Sequence, residues 1–213
     1  LSMLVAAPRA ARAETVRSKA AASYRVLVFS KTAGERVDSI PAGIAAIREL
    51  GEQNDFAVDT TEDSGLFTEE NLAQYKAVVF LSVTGDVLND DQQQALQGFV
   101  ERGGGLVALN TAADAEPDWE WYGAAIGART KSSRPAAQEG ELLVYDPAHP
   151  STKDLPRRVK HNDVFYNYTA NVRGTLHVLA GVDEKSYTPG DGAMGYDHPI
   201  SWCGEVRQGR TWY

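Results

Sequence analysis

The chain has a single cysteine, Cys203, so no internal disulfide can brace it. It has no long apolar run. Past residue 14 nothing approaches the length that crosses a bilayer, and no membrane span is expected. It has no excess of basic charge either. With 21 Lys and Arg against 29 Asp and Glu the formal net charge is -8, which argues against the basic stripe of a nucleic-acid groove. Repeats and low-complexity tracts are missing past residue 23. What is there, 43% hydrophobic and 23% charged over 213 residues, is an ordinary globular composition. It is long enough for one α/β core, alone or with an appended lobe.

The densest pattern runs from Ala77 to Asp114. Ala77 to Ser82 is a β-branched and aromatic run without polar alternation, as expected of a strand covered on both faces. Asn89 can cap the next helix, with Gln92 at the reciprocal capping-box position. Leu96, Phe99 and Val100 then share a helical face, and Gly103 to Gly105 permit the positive φ that stops the helix. Leu106 to Leu109 reads as a second buried strand, so the stretch is a βαβ unit with parallel strands. Ligands in open parallel sheets bind beyond the carboxyl ends of the strands. That assigns the functional rim to Thr84-Gly85-Asp86 and to Asn110 through Asp114.

Upstream, Tyr24 to Ser30 reads as a strand. Ser39 and Pro41 open a helix whose Ile40, Ile44, Ile47 and Leu50 share a face and which Gly51 ends. Phe56 to Asp59 is a short strand, and Thr68 opens a brief helix through Gln74. The order β-α-β-α-β-α-β specifies an α/β fold, a doubly wound parallel sheet. After Asp114 the texture changes. A short helix around Trp119, Trp121 and Tyr122 is followed by strand-like runs at Glu141 to Tyr145, Asp163 to Tyr168, Leu176 to Ala180 and Ile200 to Val206. Gln208-Gly209 reads as a hairpin turn. This half is a β-rich, antiparallel extension beside the parallel core.

Residues 1–23 are rich in Ala and Arg and are set apart from the fold. LSMLVAAPRAARAE resembles the end of a secretory signal, with Ala11-Arg12-Ala13 as its cleavage site. A secreted or extracytoplasmic chain is therefore expected, against the cytosolic lean of a lone cysteine. The chain also stops inside what should be a strand, so it is expected to be truncated at its C-terminus.

Several phrases in order resemble the ThuA-like (trehalose utilisation) family: VLVFSKTAGERVDSIPAGIAAIREL, AVVFLSVTGDVLNDDQQQAL, FVERGGGLVALNTAADAEPDWEWYG, AHPST, NDVFYNY, HVLA and DHPISWC. The resemblance implies a flavodoxin-like sheet, as in class I glutamine amidotransferases, over residues 24–213. It implies a role in carbohydrate metabolism, on a keto-sugar or disaccharide, with attached or partner sugar-dehydrogenase or carbohydrate-binding modules. It also exposes departures. Where the family has His, this chain has Val37, Asn110, Arg134 and Gly204; where it has Phe, Glu35; where it has Glu-Trp, Val164-Phe165. Each lost imidazole or carboxylate is a group that moves protons or binds metal, so a partly degenerate active site is expected.

Glutaminase chemistry needs a Cys nucleophile after the fourth strand, and Asn110 and Thr111 stand there, so amidotransferase activity is excluded. Cys203 reads as a small buried hydrophobe. His149, His161, His177 and His198 show no metal-ligand spacing; neither a metal nor another cofactor is expected. His198 beside Asp197 is the surviving acid–base candidate, because a carboxylate can orient an imidazole. Asp114 and Asp163 are either a catalytic carboxylate pair or two caps. Tyr166 and Asn110 could hold ligand hydroxyls. Arg36 and Asp38 could grip a polar ligand or form an ion pair. Trp119 and Trp202, with the neighbouring tyrosines, are either sugar-stacking faces or core. Asn167-Tyr168-Thr169 matches a glycosylation sequon. Two functions stay open: an enzyme of carbohydrate metabolism with catalytic Asp163, His198, Asp114 and Tyr166, or a non-catalytic carbohydrate-binding or interaction module on the same scaffold.

Overall fold

The computed structural model describes residues 22–131 and 136–213, and places nine strands in one sheet. The segment read as a signal remnant lies, up to residue 21, outside the described residues, as does Arg134. β1 (Tyr24–Phe29), β2 (Phe56–Thr61), β3 (Ala77–Leu81) and β4 (Gly105–Leu109) form the expected parallel half. Their alternating side chains split into two apolar layers. Leu27, Phe29, Val78, Phe80 and Leu106 belong to the larger core, and Val26, Val28, Val58, Val79 and Leu81 to the smaller.

α1 (Ile40–Gln53) covers the smaller layer with Ile44 and Ile47. It departs from expectation three times. Ser39 sits at the cap position without a side-chain cap hydrogen bond, and Leu50 is 51% exposed. The helix also continues past Gly51, because the glycine is there for contact: a Cβ would lie 2.6 Å from the Phe56 carbonyl oxygen of β2. Across the sheet, α2 (Glu69–Leu72) is capped by Thr68, and α3 (Asp90–Glu101) by the full Asn89–Gln92 capping box. Leu96 and Val100 are fully buried, and Gly103 turns the chain at φ 111°. α4 (Glu120–Ile126) follows β4 on this side and packs Tyr122 against Phe80.

The second half continues the same sheet. β5 (Gln138–Val144), β6 (Arg158–Asp163), β7 (His177–Asp183), β8 (Pro199–Val206) and β9 (Gly209–Trp212) give the order β2-β1-β3-β4-β9-β8-β7-β5-β6. β9 lies parallel to β4 and antiparallel to β8, so it joins the two halves. The strand expected at Asp163 to Tyr168 ends where it was to begin. Phe165, Asn167 and Tyr168 are buried in an irregular segment, where the two aromatic rings serve packing rather than pleating. The hairpin turn is Arg207-Gln208, with Arg207 at φ 53°, one residue earlier than expected. Gly209 is needed instead where β9 meets α3: a Cβ there would fall 2.0 Å from the Val100 carbonyl oxygen. Among the described residues no helix is long and apolar enough to cross a membrane.

Candidate functional site

β3 and β4 end side by side on residues in the left-handed region, Ser82 at φ 54° and Asn110 at φ 60°. Asn tolerates this conformation better than most residues, and such positions gather at functional rims. The Asn110 amide donates to Ser82 Oγ at 3.2 Å, and its Oδ1 accepts from the Tyr166 hydroxyl at 2.9 Å. The Asn110 carbonyl accepts from Tyr213 at 2.7 Å, and Tyr168 donates to the Tyr213 hydroxyl at 3.2 Å. Burial pushes the Tyr168 phenol well above its ordinary pKa, so it stays a neutral donor. The following loop is held from behind. Arg129 donates to the carbonyls of Ala113, Ala115 and Glu116, and Tyr122 to that of Ala112.

In front of Asn110 opens a cavity of about 520 Å³. Leu109 and Asn110 form one wall with Ser39 from the start of α1; Ile200 and Trp212 line it from β8 and β9; Leu142, His161, Asp163, Val164 and Tyr166 complete it. His161 and Asp163 are two residues apart on β6 and so share a face. His161 Nε2 lies 3.6 Å from Asp163 Oδ2, within ion-pair range, and both side chains are more than half exposed. Asp163 Oδ1 accepts from the Val164 N–H at 2.8 Å, which fixes the carboxylate. An imidazole beside a fixed carboxylate in a cleft wall is an arrangement suited to general acid–base work.

Of the residues proposed from the sequence, the structure thus brings Asn110, Asp163 and Tyr166 together. The others lie elsewhere. His198 is fully buried: its Nε2 donates to the Tyr166 carbonyl at 2.8 Å, and its Nδ1 faces Glu184 at 2.8 Å and the Tyr187 hydroxyl at 3.0 Å. Its carboxylate is therefore Glu184, not Asp197. Asp197 is held in a two-pronged pair by Arg173, at 2.7 Å twice, with Asn171 beside it, and that pairing keeps its pKa below the usual range. Asp114 accepts from both the backbone and the hydroxyl of Thr130 and does not line the cleft with Asp163. Arg36 donates to Glu62 at 2.7 Å on the outer surface, and Asp38 is exposed nearby. Trp202 is core: its Nε1 donates to the Ile126 carbonyl at 2.7 Å and its ring stacks on Tyr213. Trp119 stacks on Trp121 and lines a second, smaller cavity beside Asp86 and Glu116.

Of the departures, Asn110, Val164 and Phe165 line the cleft, whereas a Cβ on Gly204 would meet Leu176 and Thr211, neither of which lines it. Cys203 is half-buried, and its thiol, raised in pKa by burial, lies 3.8 Å from His149 Nε2. Among the described residues no three His, Cys, Asp or Glu side chains are grouped to hold a metal ion. Asn167 is 2% exposed with its amide donated to the Pro189 carbonyl, so the folded chain offers the sequon nothing to modify. Cleft residues not singled out from the sequence include His161, Trp212 and Tyr213. The signal for His161 is the His-x-Asp alternation, visible only once the strand is placed at 158–163.

Comparison with known proteins settles the family. A profile of the ThuA family, described as trehalose utilisation, matches residues 25–213. The chain belongs to the ThuA family. The fold is shared with a ThuA-like protein of Bacteroides uniformis, 22% identical, with a TM-score of 0.74 over 93% of this chain and 83% of that one. A ThuA-like protein of Parabacteroides merdae is 16% identical, with a TM-score of 0.70 over 89% and 77%. The β-galactosidase of Bacillus circulans sp. alkalophilus aligns at a TM-score of 0.56 and 16% identity, over 90% of this ThuA-family chain and 28% of the enzyme. Among curated proteins no sequence matches.

Proposed function

We propose that this ThuA-family chain binds a carbohydrate in the cleft between β4 and β6, and that it does so without a covalent nucleophile. The observation carrying this reading is the state of Asn110. It stands where an amidotransferase-like scaffold would present a nucleophile, and its amide is engaged by Ser82 and Tyr166. Asn110, Tyr166 and Ser39 supply neutral hydrogen-bonding groups beside the apolar Leu109, Leu142 and Ile200, a mixture that takes polyhydroxylated rings. The family description, trehalose utilisation, supports the same ligand class. The reading includes an extracytoplasmic location, supported by the A-x-A pattern at Ala11 to Ala13.

Calorimetric titration with trehalose and common hexoses is the test. Saturable binding is expected, weakened roughly tenfold by Tyr166→Phe, which removes one hydroxyl from the hydrogen-bonded wall. No saturable binding of any neutral sugar would overturn the reading. A second reading, proton transfer on the bound sugar, is favoured by the His161–Asp163 pair alone. Solvent deuterium entering a keto-sugar beside its carbonyl, and failing to enter with His161→Ala, would select it; no exchange would leave a binding domain.

A further inference from the structure

Among the described residues lining the cleft, none is lysine or arginine, and the one acidic side chain is Asp163, beside His161. The basic residues of β6 face the other way. Arg158 pairs with Glu141 and Lys160 with Glu139, on the alternate side of the strand from His161 and Asp163. A helix start could still attract an anion, and α1 begins at the cleft next to Ser39. That start is poor in donors. The Ile40 N–H is directed at the Val37 carbonyl, and Pro41 has none. A phosphate or carboxylate entering here would meet Asp163 without an arginine, a lysine or a nest of amides to hold it.

Beside the hydrogen-bonding Asn110, Ser39 and Tyr166, part of the lining is apolar. Leu142, Ile200 and Trp212 come from β5, β8 and β9, and the Trp212 indole is anchored through Nε1 to Ser151 Oγ at 3.4 Å. A cyclic sugar has one face of C–H bonds and a rim of hydroxyls. An indole lining the same cleft as Asn110, Tyr166, His161 and Asp163 supplies a surface for the first beside polar groups for the second.

We propose that the cleft selects neutral, ring-form sugars seated on Trp212, and discriminates against sugar phosphates and sugar acids. This rests on the carbohydrate reading above and narrows its ligand class. The experiment compares, at one ionic strength, calorimetric affinities of the whole chain for glucose, galactose, mannose and trehalose with those for glucose 6-phosphate, gluconate and sorbitol. At least one neutral ring should bind roughly tenfold tighter than the phosphate, the acid and the open-chain polyol. Trp212→Leu should weaken that binding about tenfold and Trp212→Phe by less, with both variants checked for native circular dichroism. Asp163→Asn should narrow the gap between neutral sugar and phosphate. Should glucose 6-phosphate or gluconate bind as tightly as the neutral rings, the inference falls and the carbohydrate reading stands. If a neutral sugar binds but both folded Trp212 variants bind it unchanged, the indole platform is wrong. If no sugar of any charge binds, both fall together.

Discussion

Asn110 holds three constraints at once: a left-handed backbone, a hydrogen bond to Ser82, and one from Tyr166. Replacing it separates them. Asn110→Gly keeps the backbone and loses the amide, which should cost about 1 kcal/mol. Asn110→Ala also places a Cβ in the left-handed region and should cost about 1 kcal/mol more. Asn110→Val, β-branched, should be the least stable of the three. Urea unfolding of the series checks the order; equal losses for Gly and Ala would mean that the backbone is not held at this φ. The same reasoning recasts His198. Buried behind Tyr166 and bonded to its carbonyl, it supports a cleft residue rather than entering the cleft itself.

Glu116 works at the scale of elements. It is 1% exposed and accepts from the Val87 and Leu88 N–H groups at 3.0 Å each and from the Gln93 amide at 2.6 Å, tying the loop after β3 to α3. Burial pushes its carboxyl above the usual pKa, against the lowering effect of those donors. A carboxyl whose folded pKa exceeds its unfolded one adds stability that is full below the unfolded value and gone above the folded value. Stability should therefore rise as pH falls through that raised value toward the ordinary one, and Glu116→Gln should abolish the rise. Glu116→Ala, which strands the donors, should cost about 2–4 kcal/mol at neutral pH. Chemical denaturation of the three proteins across pH checks both. In the first half α3 and β3 were legible because they carry their own boundaries: Asn89 with Gln92 for the start of α3, Gly103 for its end, an unbroken apolar run for β3. The second half was less so. Val164 to Tyr168 has the composition of a strand but is bent inward by burial of Phe165 and Tyr168. That shift hid His161, since its partnership with Asp163 depends on both lying in one strand. Asp197 beside His198 misled for a related reason: neighbours in sequence at a strand entry need not face each other, and Arg173 takes the carboxylate.

Over the whole molecule, β9 is the seam. It borders β4 on one side and β8 on the other, and Trp202 of β8 stacks on Tyr213 at the end of β9, with 4.5 Å between ring centroids. Trp202→Ala should cost about 3–5 kcal/mol. If the sheet is one cooperative unit, far-ultraviolet dichroism and tryptophan fluorescence should still report a single transition; two separated transitions would mean that the halves fold independently. The far side of the sheet carries a different consequence. Among the described residues β6 is the strand at that edge, paired with β5 alone, and it is also the strand that bears His161 and Asp163. The inner wall of the cleft is braced by neighbours on both flanks, whereas the wall with His161 and Asp163 is braced on one. Part of any guest's binding free energy would go into quieting that border, so the tightest guests would be those rigid enough to span from one wall to the other.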